Sequence, residues 1–468
     1  MRRVLAGAAV LALVLAGCGG GGGDKASDGA GDAAKAADCP LDALTNATKP
    51  VEISYWHAMT RANQDALQAL TDEFNASQPD VKVTLSPAAS YSDNFTRFKA
   101  GLTTKALPDL IQSDDTSLQQ MIDSQAVVPA AACLTADGAS TDDLVARVKN
   151  YYTVDGVLWG MPFNNSNLVL YYDKARFEKA GLDPANPPTT LEEVKAASEK
   201  IVQSGAAQYG ISLKVDSPIY EHWLAKAGHT LVDNGNGRDD RATAVTFDDP
   251  TGVGLFQWIG DMTSARLALN TGSGGGIDHF LAVGTGQAAM TIDTSAALGT
   301  IAQVFAGGEY QDVRLGVGPM PGPASPDGGV LVGGAANYVV KAAAPEKQAA
   351  AYRFAKFLAS PESQSKWAAA TGYVPVSKGA VDLPPLREKY AAQPEYRVAY
   401  DQLFSGAEND ATAGAVVGAY GSKGSGIRGA IIDAWAAVAE GRSPADAAAA
   451  QAARASDAAI AEYNARVG

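Results

Sequence analysis

The sequence predicts an α/β fold in two lobes. Three observations carry this: apolar alternation of strand type recurs between helical stripes, the chain is longer than one core usually holds, and a turn-rich segment sits between candidate strands. Val51, Ile53 and Tyr55 alternate as a strand, Ala66, Leu67, Leu70 and Phe74 form a helical stripe ending near Asn75, and Val81, Val83 and Leu85 alternate again. This is a βαβ unit. Leu110 and Ile111 predict a short buried strand leading to Asp114 and Asp115, and ligands of open α/β sheets bind beyond the carboxyl ends of strands. Residues 161–188 read as a crossover between lobes with a ligand cleft beside it. Pro162 and the Asn164, Asn165, Ser166 run supply turn chemistry, Leu168, Leu170 and Tyr172 alternate, Asp173 caps a helix, and Gly181 ends it before two Pro-containing turns. Later strands are expected at 288–292, 313–319 and 337–340. Tyr352, Phe354, Phe357 and Leu358 mark a helix, and the Ala-rich C-terminus is helical, with Ser443 and Pro444 at its start.

The formal charge is -14, and no basic face is visible, which disfavours nucleic acid as a partner. Arg2 and Arg3 precede an apolar run from Val4 to Ala16 that suits a signal-peptide core better than a membrane span. The run ends Leu15, Ala16, Gly17, Cys18, which resembles the bacterial lipobox, so residues 1–17 are expected to be a leader and Cys18 an acylated anchor. From Gly19 to about Ala37 the chain has almost no large apolar residue and reads as a tether, taken with its margin as residues 18–48. With Cys18 acylated, Cys39 and Cys133 remain in an oxidising compartment, and a disulfide between them is expected. No CxxC, HExxH, GxSxG or P-loop occurs, so the reading includes no metal site, no cofactor and no enzyme activity. The segment 233–240, DNGNGRDD, lacks oxygen ligands where a calcium loop needs them and reads as a surface loop.

The segments SYWHAM (from Ser54), PFNNS (from Pro162), VGGA (from Val332) and TGYVP (from Thr371) occur in an order that resembles the solute-binding proteins of ABC importers. The resemblance is to the maltose-binding-like group, and within it to receptors for glycerol-3-phosphate and glycerophosphodiesters. It runs from about Val51 to the C-terminus. It implies a type II periplasmic-binding-protein-like fold, each lobe a sheet flanked by helices, with a cleft between them. The implied lobes are 49–162 plus 295–345 and 163–294 plus 346–468, with chain crossings near Phe163, Thr294 and Pro345. The protein would be a monomer anchored on the outer face of the membrane. It would deliver a glycerophosphodiester of the glycerophosphocholine type, or glycerol-3-phosphate, to ABC permease subunits. The competing reading is a sugar or oligosaccharide receptor of the same fold.

The same resemblance implies a ligand set of Tyr91, Asp115, Ser166, Leu191, Thr294, Ser295, Gly334, Tyr373 and Arg428. Asp115 stands where glycerol-3-phosphate receptors carry glutamate, and Leu191 where they carry tryptophan, leaving room for a bulkier phosphate substituent. Arg428 offers a planar fork suited to phosphate, Gly334 a close backbone N–H, and the hydroxyl residues neutral donors. Asp115 would accept hydrogen bonds from glycerol hydroxyls or face a choline-like cation. Taken singly, these residues have plainer readings: Arg428 as a surface arginine at a helix start, Tyr373 as a core aromatic, Gly333 and Gly334 as a turn, and Asp114 as a helix cap.

Overall fold

A computed structural model describes residues 38–274, 276–310 and 312–468. The expected leader, Cys18 and the stretch 19–37 lie outside the described residues. In chain order the strands are β1 (Val51–His57), β2 (Val81–Pro87), β3 (Leu110–Asp114), β4 (Val127–Val128), β5 (Thr153–Val154), β6 (Val157–Leu158) and β7 (Met161–Ser166). They continue with β8 (Leu168–Asp173), β9 (Tyr209–Leu213), β10 (Ala268–Asn270), β11 (Ala288–Thr294), β12 (Leu315–Pro319) and β13 (Gly333–Val340).

Two sheets result. The first runs β2-β1-β3-β13-β4, with β7 also paired to β13. The second runs β10-β9-β11-β8-β12, and β5 and β6 form a small separate hairpin. The parallel β1–β2 pair aligns Val51, Ile53 and Tyr55 with Val81, Val83 and Leu85. Helix Arg61–Ser77, connecting them, buries Leu67, Leu70 and Phe74, the residues of the predicted stripe. Asp173 caps helix Lys174–Lys179 by accepting from the Ala175 N–H. At the C-terminus, Pro444 itself occupies the N-cap position, one place earlier than a first-turn proline.

The first crossing is compact. β7 belongs to the first sheet and β8 to the second, with only Asn167 between them. Every residue of both strands is buried, which is why the PFNNS polar run is not a surface turn.

The expected lobe boundaries need two corrections. β12, assigned with 295–345 to the first lobe, pairs antiparallel with β8 and is an edge strand of the second sheet. Residues from 345 to about 392, assigned to the second lobe, lie on the first: Phe354 packs edge-on against Tyr55 of β1, and Gln364 donates to the Phe163 carbonyl of β7. The chain regains the second sheet with the 3-10 turn Pro394–Arg397, whose Glu395 pairs with Lys174, and with helix Val398–Ser405, whose Gln402 donates to the Leu168 carbonyl and the Asn167 side chain. Apolar alternation identifies a strand but not its partner, so neither assignment was readable locally.

The tether margin is also shorter than expected. A disulfide joins Cys39 to Cys133, and Leu41–Leu44 forms a 3-10 turn packed against helix Pro345–Leu358. Residues 38–48 therefore belong to the folded body of the first lobe. With its ends 94 positions apart in the chain, the bridge restricts the unfolded chain strongly. Replacing both cysteines by serine is expected to lower the unfolding free energy by about 2–5 kcal/mol, measured by urea titration without reductant. An unchanged midpoint would remove the bridge from the stabilising contacts.

Candidate ligand-binding site

Residues of both lobes line a cavity of about 230 Å³. Its walls come from both lobes: Asp115 follows β3, Ser166 ends β7, and Gly333 and Gly334 begin β13, while Lys214, Asp216, Glu221, His222, Asp293, Thr294, Tyr420 and Arg428 belong to the second lobe. The lobes also touch beyond the cavity. Asp123, on helix Leu118–Asp123, receives hydrogen bonds from Arg241 at 2.6 and 3.0 Å and from the Tyr463 hydroxyl at 2.7 Å. Gln120 of the same helix donates to the Gly418 carbonyl at 2.9 Å. These bonds link the two lobes.

Arg428 lies in the first turn of helix Gly426–Ala439, which is also where its plainer reading put it, but it is not a surface side chain. Its Nε and Nη2 donate to Glu221 Oε1 and Oε2 at 2.8 and 2.9 Å. Glu221 is completed by the Ser217 hydroxyl at 2.7 Å and the Tyr420 hydroxyl at 3.1 Å. The guanidinium also lies 5.0 Å from the centre of the Tyr420 ring, within range of a cation–π contact. Burial alone would push the Glu221 carboxyl up, but Arg428 and its bonds hold it below the usual range and keep the pair ionised. Among the described residues Arg428 Nη1 makes no hydrogen bond, so one edge of the fork remains for a ligand. The helix N-terminus adds little, because the Ile427, Arg428 and Gly429 N–H groups already bond the Ala419, Tyr420 and Ser425 carbonyls.

Asp115 opens the 3-10 turn Asp115–Ser117. Burial raises its carboxyl to about 7; Arg428 opposes this, while Asp114 and Glu221 add to it. Asp114 stands at the N-cap, yet its carboxylate accepts from the Thr116 hydroxyl instead of a backbone N–H. Gly334 has φ +109°, and a Cβ there would stand 1.9 Å from the Asn164 carbonyl oxygen, so only glycine lets β13 run this close to β7.

Of the nine expected ligand residues, Asp115, Ser166, Thr294, Gly334 and Arg428 line the cavity. Tyr91, Ser295 and Tyr373 form an adjoining cluster around β7. The Tyr91 hydroxyl accepts from Asn164 Nδ2 at 2.7 Å, Tyr373 stacks on Trp367, and the Ser295 N–H donates to the Asn167 carbonyl. In that cluster the Ser295 hydroxyl and both amide atoms of Asn165 are buried without partners among the described residues. Leu191 does not join either group. It is the first residue of helix Leu191–Gln203, and its side chain is buried in the core of the second lobe.

Sequence reasoning missed Lys214, Asp216, Glu221, His222 and Asp293. Four carboxylates (Asp115, Asp216, Glu221, Asp293) and two fixed cations (Lys214, Arg428) therefore line the cavity, and it is acidic. Only the preceding position of Asp293 beside Thr294 could have hinted at any of them. The segment 233–240 was also more than a surface loop. Asn234, Gly235 and Asn236 make a left-handed turn, the Asn236 carbonyl oxygen Oδ1 holds the Leu231 and Val232 N–H groups, and Arg238 bonds the Ala413, Gly414 and Tyr151 carbonyls.

A two-sheet body with a cleft lined by both halves is the architecture of a binding protein. The chain belongs to the bacterial extracellular solute-binding protein family, whose model matches residues 69–397. It is 29% identical over 374 residues to the sn-glycerol-3-phosphate-binding periplasmic protein UgpB of Escherichia coli O1:K1 / APEC, covering 78% of this chain and 83% of that protein. The UgpB of Rhizobium meliloti (strain 1021) is 31% identical over 341 residues, covering 71% and 76%. Among solved structures, UgpB from Mycobacterium tuberculosis in complex with glycerophosphocholine aligns with TM-score 0.74 at 20% identity, covering 88% of this chain and 99% of that one. The GacH receptor of Streptomyces glaucescens, solved unliganded and with acarbose, aligns with TM-score 0.72 at 22% identity, covering 88% and 98%. The fold is thus the two-lobed one of these receptors. Proteins of this family bind small solutes for ABC importers. No helix among the described residues is long and apolar enough to cross a membrane.

The Asp115 carboxyl gives a pH signature. The folded protein keeps this proton to about pH 7, whereas the unfolded chain loses it near 3.8. The folded state binds more protons in that window, so this contribution to stability is full below the lower value and is lost as pH rises through the upper one. The melting temperature of ligand-free protein is expected to fall as this contribution is lost between about pH 4 and pH 7, with no further loss from it above, and Asp115→Asn to flatten that fall. A slope unaltered in the variant would assign it to other groups.

Proposed function

We propose that the protein captures a zwitterionic glycerophosphodiester, of the glycerophosphocholine type, and delivers it to the permease subunits of an ABC importer. The observation that carries this reading is the charge of the cavity: four carboxylates against two cations, of which Lys214 is paired with Asp216 and the guanidinium of Arg428 has a single open edge. A phosphodiester bears one negative charge, which the open Nη1 edge of Arg428 suits. A phosphate monoester is close to dianionic at neutral pH, and its surplus charge would face Glu221 and Asp115 with only Lys214, itself paired with Asp216, to compensate. A quaternary ammonium gains from the same acidic wall and from the Tyr151 and Tyr420 rings that share it with Asp115. The mycobacterial neighbour in complex with glycerophosphocholine supports this choice, and the names of the curated relatives support a phosphorylated glycerol compound in general.

The room argued from Leu191 plays no part here, because that side chain lies outside the cavity. A sugar receptor remains the second reading, favoured by carboxylates that accept hydroxyl hydrogen bonds and by the acarbose-binding neighbour. The buried guanidinium weighs against it. Under the leading reading the acylated Cys18 and the stretch after it tether a monomeric receptor at the outer membrane face.

Calorimetric titration with glycerophosphocholine, sn-glycerol-3-phosphate and maltose is expected to rank glycerophosphocholine first. Heat with maltose alone would overturn the reading in favour of the sugar receptor. Replacing Glu221 with Gln leaves the buried guanidinium unpaired, which is expected to lower the unfolding free energy by about 3–5 kcal/mol. The same variant should bind sn-glycerol-3-phosphate more tightly than the parent does, and weaker binding would contradict the charge argument.

A further inference from the structure

The carboxylate that the first lobe brings to the cavity and the carboxylate that it offers at the rim belong to one continuous piece of chain. The 3-10 turn Asp115–Ser117 runs directly into helix Leu118–Asp123, with Asp115 on the cavity wall at one end and Asp123 against the second lobe at the other. Asp123 accepts from Arg241 at 2.6 and 3.0 Å, from the Tyr463 hydroxyl at 2.7 Å, and from Gln119 of its own helix at 3.0 Å. Two charge-assisted bonds from one guanidinium fix direction as well as distance.

The second lobe holds its side of this contact in place before the first lobe meets it. Tyr463 lies on helix Ala445–Val467, which packs on helices Gly426–Ala439 and Pro250–Ser264. Its ring passes over Gly418, where a Cβ would stand 1.9 Å from the ring, and the Gly418 carbonyl accepts from Gln120. Any larger residue at 418 would displace the tyrosine. Asn464 donates to the Ala242 carbonyl at 2.9 Å and Asn234 to the Arg241 carbonyl at 2.7 Å, which sets Arg241 beside Tyr463. None of Asp123, Arg241, Tyr463, Gln120 and Gly418 lines the cavity, so these bonds do not depend on what the cavity holds.

We infer that Asp123, Arg241 and Tyr463 set ligand affinity from outside the cavity, as a latch that favours the joined arrangement of the two lobes. A ligand that touches Asp115 on one lobe and Arg428 on the other needs that arrangement, so its apparent affinity scales with the fraction of molecules already in it. The latch raises that fraction. It therefore acts by the same factor on every ligand that spans the cavity, which tunes affinity and leaves selectivity to the cavity walls. This goes beyond the proposed function and holds for a phosphodiester or a sugar alike. The Asp123 side chain is 9% exposed and that of Arg241 41%, which places the pair between a surface ion pair and the buried one of Arg428 and Glu221.

The test uses the full-length parent, the single variants Asp123→Asn, Arg241→Gln and Tyr463→Phe, and the double variant D123N/R241Q, with melting curves to show that each is folded. Small-angle scattering without ligand gives the radius of gyration, and calorimetry gives affinities for glycerophosphocholine and sn-glycerol-3-phosphate. The variants are expected to be larger than the parent without ligand and to return to its size at saturation. Asp123→Asn and Arg241→Gln are each expected to weaken both compounds by the same factor, about tenfold, and the double variant by little more, because the two residues act through one contact. Variants as compact as the parent without ligand, unchanged affinity, or a loss confined to one compound overturns the latch. Should neither compound bind the parent, the proposed function falls, while larger ligand-free variants still support the latch and equal sizes overturn it.

Discussion

The buried ion pair of Arg428 and Glu221 is the constraint around which the site is built. Two charges inside a protein carry a desolvation penalty that only good geometry and further hydrogen bonds offset. Here the geometry is a two-point fork, and Ser217 and Tyr420 occupy the remaining lone pairs of the carboxylate. The pair joins helix Ser217–Lys226 to helix Gly426–Ala439, so the packing of the second lobe and the chemistry of the cavity are fixed by the same contact. It also changes what the arginine can do. A guanidinium already facing a carboxylate is a directional donor with modest net charge, and a ligand that brings much negative charge gains little from it.

The rest of the fold brings this fixed group against the first lobe. β7 and β8 are successive strands of different sheets, and the single residue between them places Ser166 and Leu168 on the same cavity wall. Asp123 then acts at the far rim, where burial would raise its carboxyl but Arg241 and Tyr463 hold it below the usual range. These bonds join the two lobes independently of any ligand. In the closed state Asp115 and Arg428, from opposite lobes, feel each other's charge.

Much of this was legible in the sequence, and the reasons differ by residue. β1, β2 and helix Arg61–Ser77 follow from local periodicity, because their buried faces repeat at the period of the element. The cavity positions of Asp115, Ser166, Thr294, Gly334 and Arg428 came from resemblance, and their motifs are rigid parts of strands and turns. Leu191 lies apart from the cavity lining because a matching position does not fix the direction of a side chain: it begins a helix and is buried in the core. The sheet joined by β12 was hidden because alternation says nothing of partners. Glu221 left no trace, since its meaning depends on an arginine 207 residues away in the chain.

The central claim is that the cavity matches a ligand of balanced charge, and proton exchange on binding tests it most directly. Calorimetry at about pH 7 in buffers of different ionisation enthalpy counts the protons taken up or released with each ligand. A cationic head group near Asp115 favours its carboxylate, so glycerophosphocholine should release protons. The acidic wall should make sn-glycerol-3-phosphate take up protons as its phosphate moves toward the monoanion. Glycerophosphocholine binding without proton release, or sn-glycerol-3-phosphate binding more tightly and as the dianion, would contradict the account.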